Sequence, residues 1–185
     1  AAGVVLAEGG AVFLIEEYEH AKKRGATIYA ELAGFGASAN AAMSPIEPDP
    51  SGEAPAVAIK KAMKDAGISP GDVQAIFPPS YAVPEWDRSD VQVMRQAFGT
   101  HLEKTAVIPV RGGIGDCGAG CQALDLAAAA MAIHQQTLPP APSTPNPIAN
   151  LNIPQQKTSA SLTNALIYSA ALGGQNSAVL LKRVM

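Results

Sequence analysis

Two cysteines, Cys117 and Cys121, stand four residues apart in a stretch rich in glycine and alanine. Residues at this spacing share one face of a helix, and a helix N-terminus lowers the pKa of a thiol. The pair therefore has the spacing of a reactive nucleophile or of half a metal site. Neither a cysteine nor a histidine stands close enough in sequence to complete a metal site. The sequence favours two small side chains buried between a helix and a sheet, with no metal ion.

The glycine-rich turn before the cysteines ends in an acidic residue. Residues 112–115 read Gly-Gly-Ile-Gly and precede a predicted helix, an arrangement that binds phosphate in some proteins. The turn lacks the lysine of Walker loops and the spacing of dinucleotide-binding loops, and the carboxylate of Asp116 repels phosphate. We therefore predict no nucleotide and no other cofactor. The glycines are expected to permit a close approach of backbones.

Three acidic residues flank the only tryptophan, Trp86. Glu85 with Asp87, or Asp87 with Asp90, are close enough in sequence to act as a general acid and base. They stand where a helix is predicted to begin, and carboxylates at that place stabilise the helix dipole. Helix capping is the role that we predict for them.

The elements that must position these residues alternate along the chain. Short runs rich in β-branched residues are separated by stretches of helical periodicity, which predicts an α/β fold with a layered sheet. Residues 138–154 are rich in proline and are predicted to wrap irregularly around the fold. The chain is predicted to begin with a hairpin of residues 4–6 and 11–15. Further strands are predicted at residues 28–35, 73–77, 106–110, 165–172 and 177–184, and a loop at residues 44–52. Helices are predicted at residues 16–24, 56–66 and 91–98, and a long one follows the glycine-rich turn and ends at about residue 136.

Composition excludes several classes of function. The 185 residues carry 13 basic and 16 acidic side chains, so the net charge of −3 argues against a nucleic-acid partner. No run of about 18 apolar residues occurs, which predicts that no segment spans a membrane. With two cysteines and no disulfide framework, a reducing cytoplasmic location is expected. The chain begins Ala1-Ala2-Gly3 without a basic signal segment, so we expect it to start inside a longer polypeptide.

Three runs resemble the C-terminal half of a β-ketoacyl synthase of the thiolase superfamily. They cover residues 2–16, 67–73 and 173–176, and they occur in the family's order and at its separations. The resemblance implies a thiolase-like layered fold with a βαβαβαββ mixed sheet. Residues 1–26 would form the end of the N-terminal half, as a hairpin and a short helix, and residues 27–185 the C-terminal ketosynthase-like domain.

The same resemblance implies that the catalytic groups are missing. In active members this half supplies two histidines and a lysine. The first histidine stands five residues before a proline, and counting back from Pro84 gives Pro79; Asp116 stands at the second histidine and Arg111 at the lysine. Proline has no side-chain donor for an oxyanion, and a carboxylate would repel an enolate. The histidines that are present, His20, His101 and His134, fall in or beside predicted helices, and we expect them to be structural.

Other runs resemble the chain length factor of type II polyketide synthases most closely. They are Val83-Pro84-Glu85-x-Asp87 and the stretches 123–125 and 176–179. The resemblance implies a non-catalytic subunit that forms a heterodimer with an active ketosynthase, contacts an acyl carrier protein and needs the N-terminal half of its own fold. That half is expected to be either a separate companion chain or a removed part of the polypeptide. The alternative is a divergent condensing enzyme or acyltransferase that uses Cys117, Cys121 or Asp116 in place of the missing groups.

Overall fold

A five-stranded mixed sheet forms the centre of the fold, and helices cover both of its faces. The computed structural model describes residues 3–40, 47–141, 144, 147–171 and 173–184. The predicted α/β layered class is confirmed. The strands are β1 (Glu31–Ala39), β2 (Ala75–Phe77), β3 (Ala106–Val107), β4 (Thr137–Leu138), β5 (Thr158–Ser159), β6 (Asn164–Ala170) and β7 (Gln175–Lys182). The helices are α1 (Tyr18–Lys23), α2 (Glu53–Asp65), α3 (Pro84–Phe98), α4 (Arg111–Ile114) and α5 (Cys121–Gln135).

The strands of the main sheet lie in the order β1-β7-β6-β2-β3. β2 is parallel to both β3 and β6, whereas β6 with β7 and β7 with β1 are antiparallel. The predicted closing hairpin is therefore confirmed as β6 and β7. Leu172, the predicted last residue of its first strand, lies outside the described residues. The carboxyl ends of β2 and β3 point to the same edge of the sheet, and the loops that follow them meet there.

Alternate residues of the central strands feed two separate cores. Ile76 and Leu166 pack on one face against apolar residues of α2 and α3. Phe77 and Ala165 point to the other face and pack against α5. The period of two in a strand explains this division, because successive side chains point to opposite faces of the sheet.

Helix α2 lies directly on the backbone of β1. A Cβ atom at Gly36 would clash with the carbonyl oxygen of Ala58, and one at Gly34 would clash with that of Ala62. Only glycine permits this approach of helix to strand. The small residues from Gly36 to Ala39, which end the predicted strand at residue 35, therefore continue β1 and pair with β7.

The predicted N-terminal hairpin is wrong. Residues 4–6 and 11–15 form no β-pair with each other, and Leu6 instead makes an isolated parallel bridge with Asp116. The Ala7 N–H donates to the Asp116 carbonyl oxygen at 2.9 Å, and the Asp116 N–H donates to the Val5 oxygen at 2.7 Å. These bonds draw the first run onto the turn after α4, so its backbone groups are not available to the second run.

Several predicted boundaries shift. The helix predicted at 91–98 begins at Pro84, because proline fits the first turn of a helix. The strand predicted at 106–110 ends at Val107, two residues before Pro109. The proline-rich stretch lies along β3, where the Val107 N–H donates to the Asn152 oxygen at 2.8 Å. Residues 44–46 of the predicted loop lie outside the described residues. Strands β4 and β5 form a separate two-stranded antiparallel sheet.

Candidate functional site

A cavity of about 810 Å³ opens at the carboxyl ends of β2 and β3. Five segments supply its walls: the loop between β2 and α3, helix α3 itself, the end of β3 with the turn around α4, the extended residues near the N-terminus and the proline-rich stretch. Parallel strands of an α/β sheet place their following loops at one edge, which explains why segments so distant in sequence converge. The lining carries the acidic residues Asp87, Asp90 and Asp116 and the basic residue Arg111.

The loop of residues 78–83 joins β2 to α3 and has an unusual backbone. Ser80 and Ala82 have φ angles of 47° and 60°, in the left-handed region that side chains other than glycine rarely adopt. The Ser80 N–H donates to Asp90 Oδ2 at 2.9 Å, and the Ala82 N–H donates to Asp87 Oδ1 at 3.1 Å. Two carboxylates of α3 therefore hold the 78–83 loop in this conformation.

Asp90 is buried, which corrects the prediction that it caps a helix. Its Oδ1 accepts a hydrogen bond from the Tyr168 hydroxyl at 3.0 Å, across to β6. Burial raises the pKa of Asp90 to about 7, although the hydrogen bonds from Ser80 and Tyr168 act in the opposite direction. Asp87 lies in the first turn of α3, as a cap does, but it bonds the 78–83 loop, and burial raises its pKa too.

The guanidinium of Arg111 is buried beneath an aromatic ring of the 78–83 loop. Its central carbon lies 4.2 Å from the ring centroid of Tyr81, and Tyr81 in turn contacts Trp86 with 5.0 Å between the ring centroids. Arg111 Nη1 lies 3.8 Å from Asp116 Oδ1. Cation–π contact and charge attraction thus tie α4 to the 78–83 loop.

Asp116 and Cys121 are linked at the start of α5. Asp116 Oδ1 accepts from the Cys121 thiol at 3.2 Å and from the Gly118 N–H at 2.9 Å. The Cys117 N–H donates to Cys121 Sγ at 3.0 Å. Cys121 is fully buried, and burial raises the pKa of its thiol, so the reactive thiolate is disfavoured. This arrangement supports the structural interpretation of Cys121 over the nucleophilic one.

Asp125 is a buried acid that the sequence analysis did not single out. It is fully buried on α5, and neither of its carboxyl oxygens has a hydrogen-bond partner among the described residues. Burial raises the pKa of Asp125 to about 7, while the positive charge of Arg111 acts to lower it. The sequence does contain a feature that could have identified Asp125. It is the only acidic residue of α5, which is otherwise apolar, and a buried acid in such a helix needs a basic partner.

Of the three positions that the sequence resemblance predicts to match catalytic residues, the structure brings two close together. Arg111 and Asp116 both line the cavity, and Pro79 lies buried in the 78–83 loop between two lining residues, Pro78 and Ser80. The histidines lie outside the cavity lining. His20 Nε2 in α1 lies 3.4 Å from Glu16 Oε1, and the ring of His134 contacts the ring of Tyr29. His101 belongs to the short helical turn Gly99–Glu103.

Within the described ranges, no group of three His, Cys, Asp or Glu residues is arranged to hold a metal ion. None of the helices described there is long and apolar enough to cross a membrane.

Comparison with known sequences points to one family. The model of the beta-ketoacyl synthase C-terminal domain matches residues 29–144. The chain is 34% identical over 185 residues to 3-oxoacyl-[acyl-carrier-protein] synthase 2 of Coxiella burnetii (strain RSA 493 / Nine Mile phase I), covering 98% of this chain and 44% of that protein. It is 35% identical over 184 residues to a putative polyketide beta-ketoacyl synthase 2 of Streptomyces halstedii, covering 99% and 44%. The chain thus spans less than half the length of these relatives.

Solved structures agree with this. The chain is similar to one chain of a solved structure, with a TM-score of 0.86 and 31% identity over 92% of this chain and 42% of that chain. That structure is described as a type II PKS acyl-carrier protein in complex with its ketosynthase bound to the hexaketide. The fold is also shared with the ishigamide ketosynthase/chain length factor, with a TM-score of 0.87 and 24% identity over 99% of this chain and 45% of that chain.

Proposed function

Because the chain belongs to the β-ketoacyl synthase family and contains that family's C-terminal domain, we propose that it is part of a non-catalytic ketosynthase-like subunit. In this proposal the subunit is a chain length factor. It pairs with an active ketosynthase that elongates a polyketide bound to a carrier protein, and it limits the length of the chain. The observation that carries the proposal is the set of residues at the cavity: Arg111 and Asp116 line it, Pro79 lies next to its lining, and the sequence resemblance matches these three positions to the lysine and the two histidines of active members.

These side chains cannot activate a thioester carbonyl as the histidines do. Condensation needs hydrogen-bond donors aimed at the oxygen that gains charge. Pro79 follows Pro78, so neither residue offers a side-chain donor or a backbone N–H. Asp116 is an acceptor that Cys121 and Gly118 already engage, and its charge would repel an enolate. The described cavity wall can therefore enclose a chain, but Pro79 and Asp116 cannot take the roles of the two histidines.

The cavity walls suit the confinement of an extended acyl chain. Besides the charged groups, they carry apolar side chains from α3 and from the proline-rich stretch, among them Met94, Ile148 and Leu151. Apolar walls with a few polar groups are typical of pockets for small organic ligands. Ile148 is half exposed, so its side chain offers a place where the enclosed volume can be changed without disturbing the core.

Exposed apolar residues indicate where the N-terminal half of the same fold would lie. Val5, Leu6 and Leu14 are 71%, 85% and 79% exposed, and Val12 is fully exposed. An apolar segment of this kind marks an interface. Since the chain spans 44% of the length of the two relatives described above, the occupant that we propose is the remaining half of the ketosynthase fold.

The proposed partners rest on the relatives. One similar structure is described as a carrier protein in complex with its ketosynthase, which supports a carrier protein and an active ketosynthase as partners here. The alternative function, a divergent condensing enzyme with Cys117 or Cys121 as nucleophile, is less well supported. Cys121 is buried with a raised thiol pKa, and it already bonds Asp116.

Our test enlarges one side chain of the cavity wall. The complete subunit is co-expressed with its active ketosynthase and carrier protein, and the products are sized by mass spectrometry. We expect Ile148→Trp to shorten the polyketide, because the larger side chain fills part of the cavity. Met131→Trp is the matched control, because Met131 is comparably exposed but lies on α5 outside the cavity lining.

Two results would contradict the proposal. One is an unchanged product length for Ile148→Trp in a complex that remains active. The other is condensation by this subunit when the nucleophile of its partner has been removed, since that would establish a catalytic site in this subunit.

A further inference from the structure

Strand β1 lies at one edge of the main sheet, and among the described residues β7 alone pairs with it. In an antiparallel ladder every second residue turns both its N–H and its C=O away from the partner strand. Phe35 and Ala37 are two such residues, because their backbone groups bond side chains of α2 and not β7. A free row of outward groups is a template on which a further strand can pair.

Two charged side chains of α2 occupy this free edge. The Phe35 N–H donates to Asp65 Oδ2 at 2.9 Å, and Lys61 Nζ donates to the Ala37 carbonyl oxygen at 2.9 Å. Lys61 and Asp65 are four residues apart, so they lie on one side of the helix. A strand added to β1 would have to displace both side chains from the backbone groups that it needs for pairing.

The close approach of α2 to β1 brings the two side chains within reach of the edge. Gly34 and Gly36 leave room for the backbone of α2, and a Cβ atom at Gly36 would lie 2.8 Å from Lys61 Cβ. The side chain of Lys61 therefore begins beside the strand. Phe35 and Ala37 alternate with the two glycines, and both are exposed, since successive side chains of a strand point to opposite faces.

Strand β1 carries little protection of its own against the addition of a strand. Edge strands are commonly protected by charged side chains, proline or a bulge. Glu31 is the only charged residue of β1, which contains no proline, and its bulge lies between Leu32 and Gly34. The uncharged residues from Gly34 to Ala39 pair regularly with β7, and Phe35 is 54% exposed. Protection of this stretch must come from another element.

We propose that Lys61 and Asp65 form an edge cover that prevents β1 from pairing with the β1 of a second copy of this chain. Two identical edge strands can pair antiparallel about a two-fold axis, because such an interface uses the same surface of both copies. This pairing would place the exposed Phe35 side chains of both copies on the same face of the joined sheet, where they can contact. The inference concerns assembly alone and does not depend on a role in polyketide length.

The experiment removes the edge cover from the complete subunit, in the assembly in which it purifies. Lys61→Ala combined with Asp65→Ala leaves the net charge unchanged, and alanine is the residue that a helix accepts best. The mass is measured by light scattering after size-exclusion chromatography. We expect the mass of the variant assembly to double as the protein concentration is raised, whereas that of the wild type stays constant.

Glu53→Ala combined with Lys60→Ala is the matched control. Both residues are exposed on α2, their replacement also leaves the net charge unchanged, and neither side chain bonds β1 among the described residues. The mass of this variant should stay at the wild-type value. Ala37→Pro, added to the first pair of substitutions, removes the outward N–H of an edge residue and should restore the wild-type mass.

Amide hydrogen exchange of Asp65→Ala provides a second measurement if a combined variant does not fold. The peptide that contains Phe35 should exchange faster than in the control, because the N–H loses its acceptor. A constant mass of the variant without the edge cover would overturn the inference, and so would unchanged exchange in Asp65→Ala. Association that Ala37→Pro leaves in place, equal association in the control, or added mass that belongs to a different protein would overturn it too.

Discussion

At the scale of single residues, one buried cation organises the acids of the site. Arg111 contacts Tyr81, lies 3.8 Å from Asp116 and exerts its charge on Asp90 and Asp125. A buried cation and several acids can be stable together only if some acids keep their protons. Burial raises the pKa values of Asp90 and Asp125 to about 7, repulsion between acids adds to the rise, and the charge of Arg111 opposes it.

Asp125 makes the stability of the protein depend on pH. Its pKa is raised from 3.8 to about 7, so between these values the folded chain holds a proton that the unfolded chain has lost. The free energy of unfolding therefore falls as the pH rises from about 4 to about 7. We predict that Asp125→Asn reduces this fall by on the order of 1–4 kcal/mol, measured by denaturant titration of the complete complex. Part of the slope should remain, because Asp90 titrates in the same range.

A suitable control for that measurement is Asp72→Asn. Asp72 is exposed, and its hydrogen bonds with Ser69 lower its pKa, so its contribution is lost only as the pH falls below about 4. The slope between about pH 4 and pH 7 should be the same in this variant as in the wild type. An unchanged slope in Asp125→Asn would show that Asp125 is ionised in the folded chain.

At the scale of elements, the contact between β1 and α2 allows no side chain at its centre. We predict that Gly36→Val destabilises the fold, at the upper end of the roughly 1–3 kcal/mol typical of overpacking, because its Cβ would clash with the Ala58 carbonyl oxygen. The midpoint of thermal unfolding measures this. Gly10→Ala is the control, because no atom lies within 4 Å of a Cβ there and its φ is not positive. Equal midpoints for the two variants would contradict the close approach.

At the scale of the whole molecule, the exposed apolar side chains near the N-terminus need a partner surface that buries them. We predict that the 185-residue chain is insoluble when expressed alone and becomes soluble on co-expression with the N-terminal half and an active ketosynthase. Replacing Leu6 and Leu14 with serine should increase the solubility of the lone chain and weaken its assembly, as measured by size-exclusion chromatography. Replacing the exposed Lys23 with serine should do neither. A monodisperse, cooperatively folding monomer of the unmodified chain would refute this prediction.

The sequence by itself determined the order of the elements and the residues at the positions that the resemblance predicts to match catalytic groups. Helical and strand periodicity are local, so the βαβαβαββ order, helix α2 and the closing hairpin could be predicted from short stretches. The identities of Pro79, Arg111 and Asp116 needed no structure. The first strand was predicted to end at residue 35, which is too early. The glycines of β1 serve the contact with α2, and that role cannot be seen from their neighbours in sequence.

Only the tertiary structure decided which side chains meet. Asp90 and Tyr168 are 78 residues apart, and their hydrogen bond depends on the packing of α3 against β6. The burial of Asp125 likewise depends on the side of α5 that faces the sheet. The N-terminal run pairs with Asp116 and not with its predicted strand, because a backbone donor takes the partner that the folded chain brings closest. Such contacts are set by packing across the whole chain, which periodicity does not encode.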